Sequence, residues 1–236
     1  MQRRSIKTLG SVLFLLGVFL SLALALAAIW GDYEAMSYFF NGAGYGAFDS
    51  LNCPVLMSRT EVATISATFD NPSDAAIQPY YEVEVSATAS SRDLEKQITV
   101  PPHTSRTVQW TVDANDLNLG SFILIKMDVL PVAGFSTREA TCGVLLLNLA
   151  GPSGERIVGA VLAVSLLGIL LGLGIRDSGE RAATDKALST QNGMRATGVA
   201  ALLALLAGLM GWWLIGVLFM AGTMLLLAIL LRLALS

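Results

Sequence analysis

Histidine and cysteine are scarce in this chain of 236 residues, which has one histidine, His103, and two cysteines, Cys53 and Cys142. A structural zinc site needs about four such ligands at suitable spacing, and the chain has no such set. It also has no P-loop, dinucleotide fingerprint or paired-carboxylate signature. These absences predict no metal site, no cofactor and no catalytic residues, so we expect a protein that is not an enzyme.

Two short segments come nearest to a functional motif. Residues 151–154 (G-P-S-G) resemble the G-x-S-G string of rhomboid-type intramembrane proteases, but that serine needs a base within hydrogen-bond reach. The only histidine, His103, follows two prolines far from any apolar run. Residues 113–118 (D-A-N-D-L-N) cluster oxygens that calcium prefers, without the spacing of a known calcium loop. We interpret both segments as turns, since their residue types favour turns.

Charged residues are also absent from three long apolar runs, 9–30, 157–175 and 197–231. A helix needs roughly 20 apolar residues to cross the hydrocarbon of a bilayer, so the third run is long enough for two crossings. Ionisable groups inside membrane spans mark ion paths, proton relays and substrate sites. Their absence argues against a transporter, a channel or an intramembrane enzyme that works alone.

The sequence predicts a membrane α-helical bundle of four spans, listed in chain order as residues 1–30, 157–175, 197–213 and 214–234. The first span begins with Arg3, Arg4 and Lys7, and its segment 23–28 (A-L-A-L-A-A) offers small-residue sites that a signal peptidase could use. Its apolar core of about 20 residues is longer than that of a usual signal peptide, which favours an uncleaved signal anchor. Cleavage after the small residues is the alternative, and it would leave three spans.

Small residues recur at a spacing of four along the later spans. Such spacing lets helix backbones approach closely, and the predicted packing positions are Gly168, Gly172, Ala204, Gly208 and Gly211. Packing within the bundle and packing against a partner protein are both compatible with this pattern.

The distribution of Lys and Arg predicts the orientation of the chain. Basic residues concentrate in the N-terminal segment and in the polar loop 176–196, whereas the turn at 211–213 has none. Because cytoplasmic loops are enriched in Lys and Arg, we expect both termini and loop 176–196 in the cytoplasm. Residues 31–155 are then extracytoplasmic, and the protein is a multi-pass protein of the plasma membrane. A short helix is expected near 179–188.

Residues 53–150 have the pattern of an all-β domain. Apolar and polar residues alternate at 62–69, 81–88 and 107–112, and turn residues interrupt the pattern at short intervals. Six to eight short strands over about 100 residues predict a two-sheet sandwich. Cys53 and Cys142 lie at its two ends, and an oxidising compartment favours a disulfide between them. Residues 151–156 are a predicted linker to the next span.

A resemblance to known modules rests on two segments, residues 69–74 (F-D-N-P-S-D) and 100–112 (V-P-P-H-T-S-R-T-V-Q-W-T-V). Together they resemble bacterial immunoglobulin-like adhesion modules, and fibronectin-type-III-like and CARDB-type domains share the pattern. The resemblance implies a β-sandwich with a binding or spacing role, and it implies no site residues. A disulfide between the first and last strands differs from the bridge of antibody domains.

Residues 31–155 contain 15 acidic and 6 basic residues, a net charge of −9. This charge excludes nucleic acid as a partner, and leaves solubility, a basic partner or bound cations as explanations.

Residues 31–52 form an aromatic juxtamembrane segment. Amphipathic aromatic residues favour membrane interfaces, and the predicted interfacial residues are Trp30, Tyr33, Phe39, Phe40, Trp212 and Trp213. Docking of the segment on the sandwich or on a partner is the alternative.

The sequence therefore predicts a non-enzymatic integral membrane protein that displays an immunoglobulin-like domain for binding or assembly. The alternative is an accessory subunit of a larger membrane complex, and a membrane hydrolase is a remote third. The predicted partners are the lipid bilayer and a protein bound through the sandwich or the spans. The chain has no acceptor site for N-glycosylation, because its one Asn-x-Ser triplet, 71–73, has proline in the middle, and this fits a bacterial source.

Overall fold

The computed structural model describes residues 2–40, 46–48, 50–86, 92–117, 120–130, 137–179 and 185–235. The chain divides into two compact units. One unit is helical and combines Met1–Ile29 with Val158–Ser236. The other, Trp30–Ile157, contains all the described strands. The aromatic segment 31–52 thus belongs to the same unit as the strands.

Four long helices account for the apolar runs of the sequence. Their bounds are α1 Gln2–Tyr38, α2 Gly154–Gly179, α3 Asp185–Leu209 and α4 Trp213–Leu235. Each contains a stretch long and apolar enough to cross a membrane, namely Thr8–Tyr38, Gly154–Arg176, Ser189–Leu209 and Trp213–Arg232. The prediction of four helices with the properties of membrane spans is confirmed.

The helices are longer than hydropathy alone predicts. Helix α1 continues past residue 30 to Tyr38 and therefore includes Asp32, and α3 starts at Asp185 within the predicted loop 176–196. Much of that loop is helical, and the short helix expected near 179–188 falls partly outside the described residues. The reason is that helix propensity and end capping, which hydropathy does not measure, set where a helix ends.

The turn between α3 and α4 is a glycine C-cap. Gly211 has a φ of 72°, a left-handed conformation that glycine adopts without a Cβ penalty. The Gly211 N–H donates to the Gly208 carbonyl at 3.2 Å, and the Trp212 N–H donates to the Ala207 carbonyl at 2.9 Å. These two bonds form a Schellman motif, which divides the apolar run 197–231 into two helices at the predicted place.

The strands form two sheets. The six-stranded sheet, sheet A, has the order β1-β9-β8-β5-β6, with β3 also paired to β9. The three-stranded sheet, sheet B, has the order β2-β4-β7. The strand bounds are β1 Gly46–Ala47, β2 Leu51–Asn52, β3 Leu56–Ser58, β4 Ala63–Asn71, β5 Tyr80–Val85, β6 Arg92–Gln97, β7 Thr104–Val112, β8 Phe122–Leu130 and β9 Arg138–Leu147.

One hydrophobic core is shared by the two sheets. Strand β4 directs alternate residues inward, and Ile65, Ala67 and Phe69 are almost fully buried there. Residues of β5, β8 and β9 in sheet A belong to the same cluster. Phe48, from the predicted aromatic segment, also lies in this core. Burying this ring stabilises the domain by about 2–3 kcal/mol, so for Phe48 docking on the β domain is the observed arrangement.

The Asp-Asn-Pro-Ser-Asp turn is organised by the buried side chain of Asn71. Its amide nitrogen donates to the carbonyl oxygens of Ala75, Val100 and Pro101 at 2.8–3.0 Å. Its amide oxygen accepts the Ser73 N–H at 3.1 Å. One side chain therefore joins the end of β4 to the approach of β7, which explains why the motif has asparagine at this position.

Candidate functional site

The disulfide closes the β unit. Cys53 lies between β2 and β3, Cys142 lies in β9, and their sulfurs are bonded with a Cα–Cα distance of 6.5 Å. The two residues are 89 positions apart in sequence. The predicted disulfide is confirmed, and it links the segment between β2 and β3 to the last strand, β9.

The same strand, β9, receives the end of helix α1. Strand β1 pairs with Arg138 and Glu139, and β3 pairs with residues 145–147, so Gly143 lies between the two pairings. The Gly143 N–H donates to the Asp32 carboxylate. A Cβ on Gly143 would come within 2.0 Å of the Gly31 carbonyl oxygen. Only a glycine fits at this contact, and nothing in the spacing of the sequence predicts it.

Glu61 makes the equivalent contact for the start of α2. Its carboxylate accepts the Gly154 N–H at 2.7 Å and the Ser58 N–H at 2.9 Å. A Cβ on Gly154 would lie 1.8 Å from the Leu56 carbonyl oxygen. The linker predicted at 151–156 is therefore wrong from Gly154 onward, because that residue opens α2 and packs tightly on β3.

These contacts also explain the G-P-S-G string. Gly154 is needed for the close approach to β3, and the Ser153 carbonyl accepts the Ile157 N–H at 3.1 Å as α2 begins. His103 is exposed, has a φ of 53°, and its Nε2 lies 2.8 Å from Asp74 Oδ1. Both residues of the hypothetical serine–histidine pair thus have local structural roles.

The predicted oxygen cluster at 113–118 forms a cap in its described part. Asp113 precedes a short 3₁₀ helix, Ala114–Asp116, and accepts the Asn115 N–H at 2.7 Å. The Asp116 carboxylate accepts the Asp113 N–H at 3.0 Å in return. Among the described residues, no group of three His, Cys, Asp or Glu could hold a metal ion.

A buried lysine on sheet A is the site that sequence reasoning missed. Lys126, on the face of β8 opposite the core, is only 7% exposed, and its Nζ lies 2.8 Å from Asp128 Oδ2. The register places Glu84 beside Lys126 and Glu139 beside Asp128. The available signal was a lysine and an aspartate two residues apart inside an otherwise apolar strand.

The electrostatics of this cluster favour the charged lysine. Burial alone would lower the pKa of Lys126, but the bond to Asp128 and the charges of Asp128, Glu139 and Glu84 outweigh it and raise that pKa. One oxygen each of Asp128 and Glu139 is buried without a hydrogen bond in the described part of the chain. The Lys126 ammonium is therefore the counter-charge that offsets the repulsion among these carboxylates and the cost of burying them.

Small residues form the contact between α1 and α2. A Cβ on Gly172 would lie 2.6 Å from the Phe14 nitrogen, and one on Gly168 would lie 2.9 Å from the Leu13 carbonyl oxygen. At the centre, the Ser165 hydroxyl donates to the Gly17 carbonyl at 2.9 Å and also bonds the Ser21 hydroxyl. Gly168 and Gly172 thus pack within the bundle.

The positions predicted on α3 behave differently from one another. Ala204 is fully buried, and a Cβ on Gly208 would lie 3.4 Å from the Ala25 Cα of α1. A Cβ on Gly211 would meet no described atom within 4 Å. Gly211 therefore makes no close contact within the described bundle, and its left-handed φ serves the turn; packing against a partner protein stays a prediction.

The predicted interfacial aromatic residues are largely exposed. More than a third of each side chain is accessible in Trp30, Tyr33, Phe40, Trp212 and Trp213, whereas Phe39 is half-buried. Trp212 and Trp213 flank the start of α4. Their place at a membrane interface remains a prediction.

Comparison with known proteins identifies no family. No protein-family description and no curated protein matches the chain. A solved structure, a β-glucosidase from Erythrobacter marinus, is similar over 43% of this chain at 17% identity, with a TM-score of 0.26. The similarity covers 15% of the glucosidase. A TM-score this low supports no conclusion about fold or activity.

Proposed function

We propose that this chain is a non-enzymatic integral membrane protein that displays an immunoglobulin-like domain outside the cytoplasm, for binding or assembly. The observation that carries the proposal is a disulfide-closed, two-sheet domain placed in sequence between helices apolar enough to span a membrane. Such a layout presents a folded surface on one side of a bilayer, with the helices as its anchor.

The strand order supports the immunoglobulin-like assignment. Sheet B, β2-β4-β7, corresponds to strands A, B and E of that fold, and β9-β8-β5-β6 corresponds to G, F, C and C′. The short strand β3 runs parallel to β9, while β4–β7, β5–β8 and β8–β9 are antiparallel. Two such sheets over one core are typical of these sandwiches.

Two independent features support an extracytoplasmic position. Disulfides persist in oxidising compartments and are rare in the cytosol, and the disulfide lies in the β unit. Three Lys or Arg residues lie at positions 3–7 and four lie in loop 176–196, whereas the turn at 211–213 has none. This distribution matches the rule that short cytoplasmic loops are enriched in Lys and Arg.

A binding role rather than catalysis is supported by the structural contacts that the carboxylates of the β unit make. The Asp32, Glu61 and Asp113 carboxylates accept backbone N–H groups, and Asp128 pairs with Lys126. These groups serve the fold. The acidity of the domain favours a basic protein segment as its ligand.

Thiol labelling of intact cells tests the topology. We expect a cysteine introduced at exposed Gln109 to react with a membrane-impermeant maleimide, and one at exposed Ser189 to react only after permeabilisation. The native pair stays oxidised and silent in both variants. Labelling of Ser189→Cys but not Gln109→Cys on intact cells would overturn the proposed orientation.

A further inference from the structure

An arginine at the end of α2 reaches across to α1. Arg176 closes the apolar stretch Gly154–Arg176, and its Nη1 donates to the Ser11 hydroxyl at 2.9 Å. One turn away, a Cβ on Gly10 would lie 3.1 Å from the Gly172 carbonyl oxygen. The two backbones are therefore in contact here, and the guanidinium is held where the α1–α2 contact ends.

This guanidinium has more donors than the described residues use. A guanidinium offers five N–H groups, and the structure assigns Arg176 one acceptor, the Ser11 hydroxyl. Its Nε is buried without a hydrogen bond among the described atoms, so the N–H groups left for a ligand belong to its two terminal nitrogens. A partly buried N–H group without an acceptor costs free energy unless a ligand supplies one.

The end of a membrane span lies near lipid phosphates. An arginine guanidinium can donate two parallel hydrogen bonds to the oxygens of one phosphate. Basic pockets between helices on the cytoplasmic side bind anionic lipid headgroups. Ser11 adds a second donor, because its oxygen accepts from Arg176 and its own O–H has no acceptor among the described residues, so it can donate to a phosphate oxygen.

We propose that Arg176 and Ser11 form a binding site for the phosphate of an anionic phospholipid at the α1–α2 contact. This inference rests on the proposed membrane insertion. It differs from general attraction of basic loops to anionic membranes, because it requires the neutral Ser11 and the geometry of one arginine.

Arg232 is a matched control for charge. It ends the apolar stretch Trp213–Arg232 and is exposed, and the structure shows it no interhelical hydrogen bond among the described residues. If only net charge attracts the lipid, Arg232→Gln and Arg176→Gln must have equal effects, and Ser11→Ala must have none.

The test is a native mass spectrometry titration of the full-length protein in detergent with phosphatidylglycerol, phosphatidylcholine or inorganic phosphate. We expect wild type to prefer phosphatidylglycerol. Arg176→Gln and Ser11→Ala should each weaken that binding about fivefold, and Arg232→Gln should change it less than twofold. Arg176→Lys keeps the charge but loses the fork, so it should give an intermediate affinity.

Three outcomes would overturn the inference. One is equal binding of the two lipids, another is equal loss in the two glutamine variants with Ser11→Ala unaffected, and the third is binding of inorganic phosphate without lipid preference. Unchanged melting temperatures of the variants keep a folding defect from imitating the result. Release of the protein from membranes by alkaline carbonate would instead overturn the proposed membrane insertion itself.

Discussion

At the scale of single residues, the β unit uses ionisable groups to complete its backbone hydrogen bonding. Asp32 and Glu61 each accept the N–H of a glycine, Gly143 and Gly154, at a point where a helix meets a strand. Buried N–H groups need partners, and a carboxylate supplies a strong one. Sequence patterns show the acidic residues but not which N–H each will bind.

Loss of the disulfide should destabilise the β unit strongly. Cys53→Ser opens a loop of 89 residues, for which the chain-entropy model gives a loss of about 4–5 kcal/mol. Thermal unfolding under non-reducing conditions should show a markedly lower midpoint. The double variant Cys53→Ser/Cys142→Ser should match the single one, because the stabilisation belongs to the bond. An unchanged midpoint in Cys53→Ser would contradict the disulfide.

Lys126→Met should destabilise the domain in a pH-dependent way. The variant leaves the Asp128, Glu139 and Glu84 carboxylates without their buried counter-charge, at a cost of about 2–4 kcal/mol near neutral pH. The raised pKa of Lys126 means that its contribution is present below the ordinary lysine pKa. It is lost as the pH rises through the folded value, so wild type and variant should converge at strongly alkaline pH.

Chemical denaturation across pH measures this difference. Lys96→Met is the matched control, since Lys96 is exposed on β6, and it should change stability by less than about 0.5 kcal/mol. If Lys126→Met were as stable as Lys96→Met at neutral pH, the contacts of Lys126 with the neighbouring carboxylates would contribute nothing measurable to the free energy of unfolding.

At the scale of elements, α1 and α2 contact each other through small residues, and no described ion pair joins them. Hydrocarbon solvates leucine as well as a neighbouring helix does, so association in a bilayer depends on close backbone approach and on polar contacts. Gly17, Gly168 and Gly172 provide the approach, and the Ser165 hydroxyl provides the polar contact.

A bulky residue at Gly172 should therefore separate α1 from α2. Gly172→Leu places its Cβ 2.6 Å from the Phe14 nitrogen, and overpacking of this kind costs about 3 kcal/mol or more when backbone is in the way. At Gly174, on the same helix, an added Cβ meets no described atom within 4 Å, so Gly174→Leu serves as the control. Thermal stability in mild detergent should fall only for Gly172→Leu. Equal melting temperatures would contradict the tight α1–α2 contact.

At the scale of the whole molecule, charge and polarity are divided between the two units. Residues 31–155 carry 15 of the 18 acidic residues, and the rest of the chain is mainly apolar and basic. A chain organised this way can recruit a partner through the acidic domain or through its helices. The two routes correspond to a displayed binding protein and to an accessory subunit.

Purification in mild detergent should separate these two functions. The proposed binding protein is expected to elute alone or as a homo-oligomer, since the helices already pack on one another through Gly168 and Gly172. Mass spectrometry of the purified sample identifies any companion. Unrelated polypeptides in stoichiometric amounts, retained after a wash at high salt, would favour an accessory subunit.

Much of the fold could be predicted from local patterns. Four apolar helices and a two-sheet all-β segment follow from runs of about 20 apolar residues and from period-two alternation, because burial in lipid or in a core selects side chains at a fixed period. The disulfide followed from having only two cysteines, both in the same segment. Each of these features depends on residues close in sequence or on counting.

Contacts between distant residues required the tertiary structure. Gly31 against Gly143, Glu61 at the start of α2, and Lys126 among carboxylates of three strands all join positions whose separation in sequence carries no periodic signal. Gly211 is a further example. Its spacing from other small residues favoured a packing role, whereas its backbone φ of 72° places it in the turn between α3 and α4. Composition and hydropathy determined which segments are apolar enough to cross a membrane and which form a β-domain core. Only the folded chain decided which buried groups meet, because hydrogen bonds and close contacts depend on distances in space.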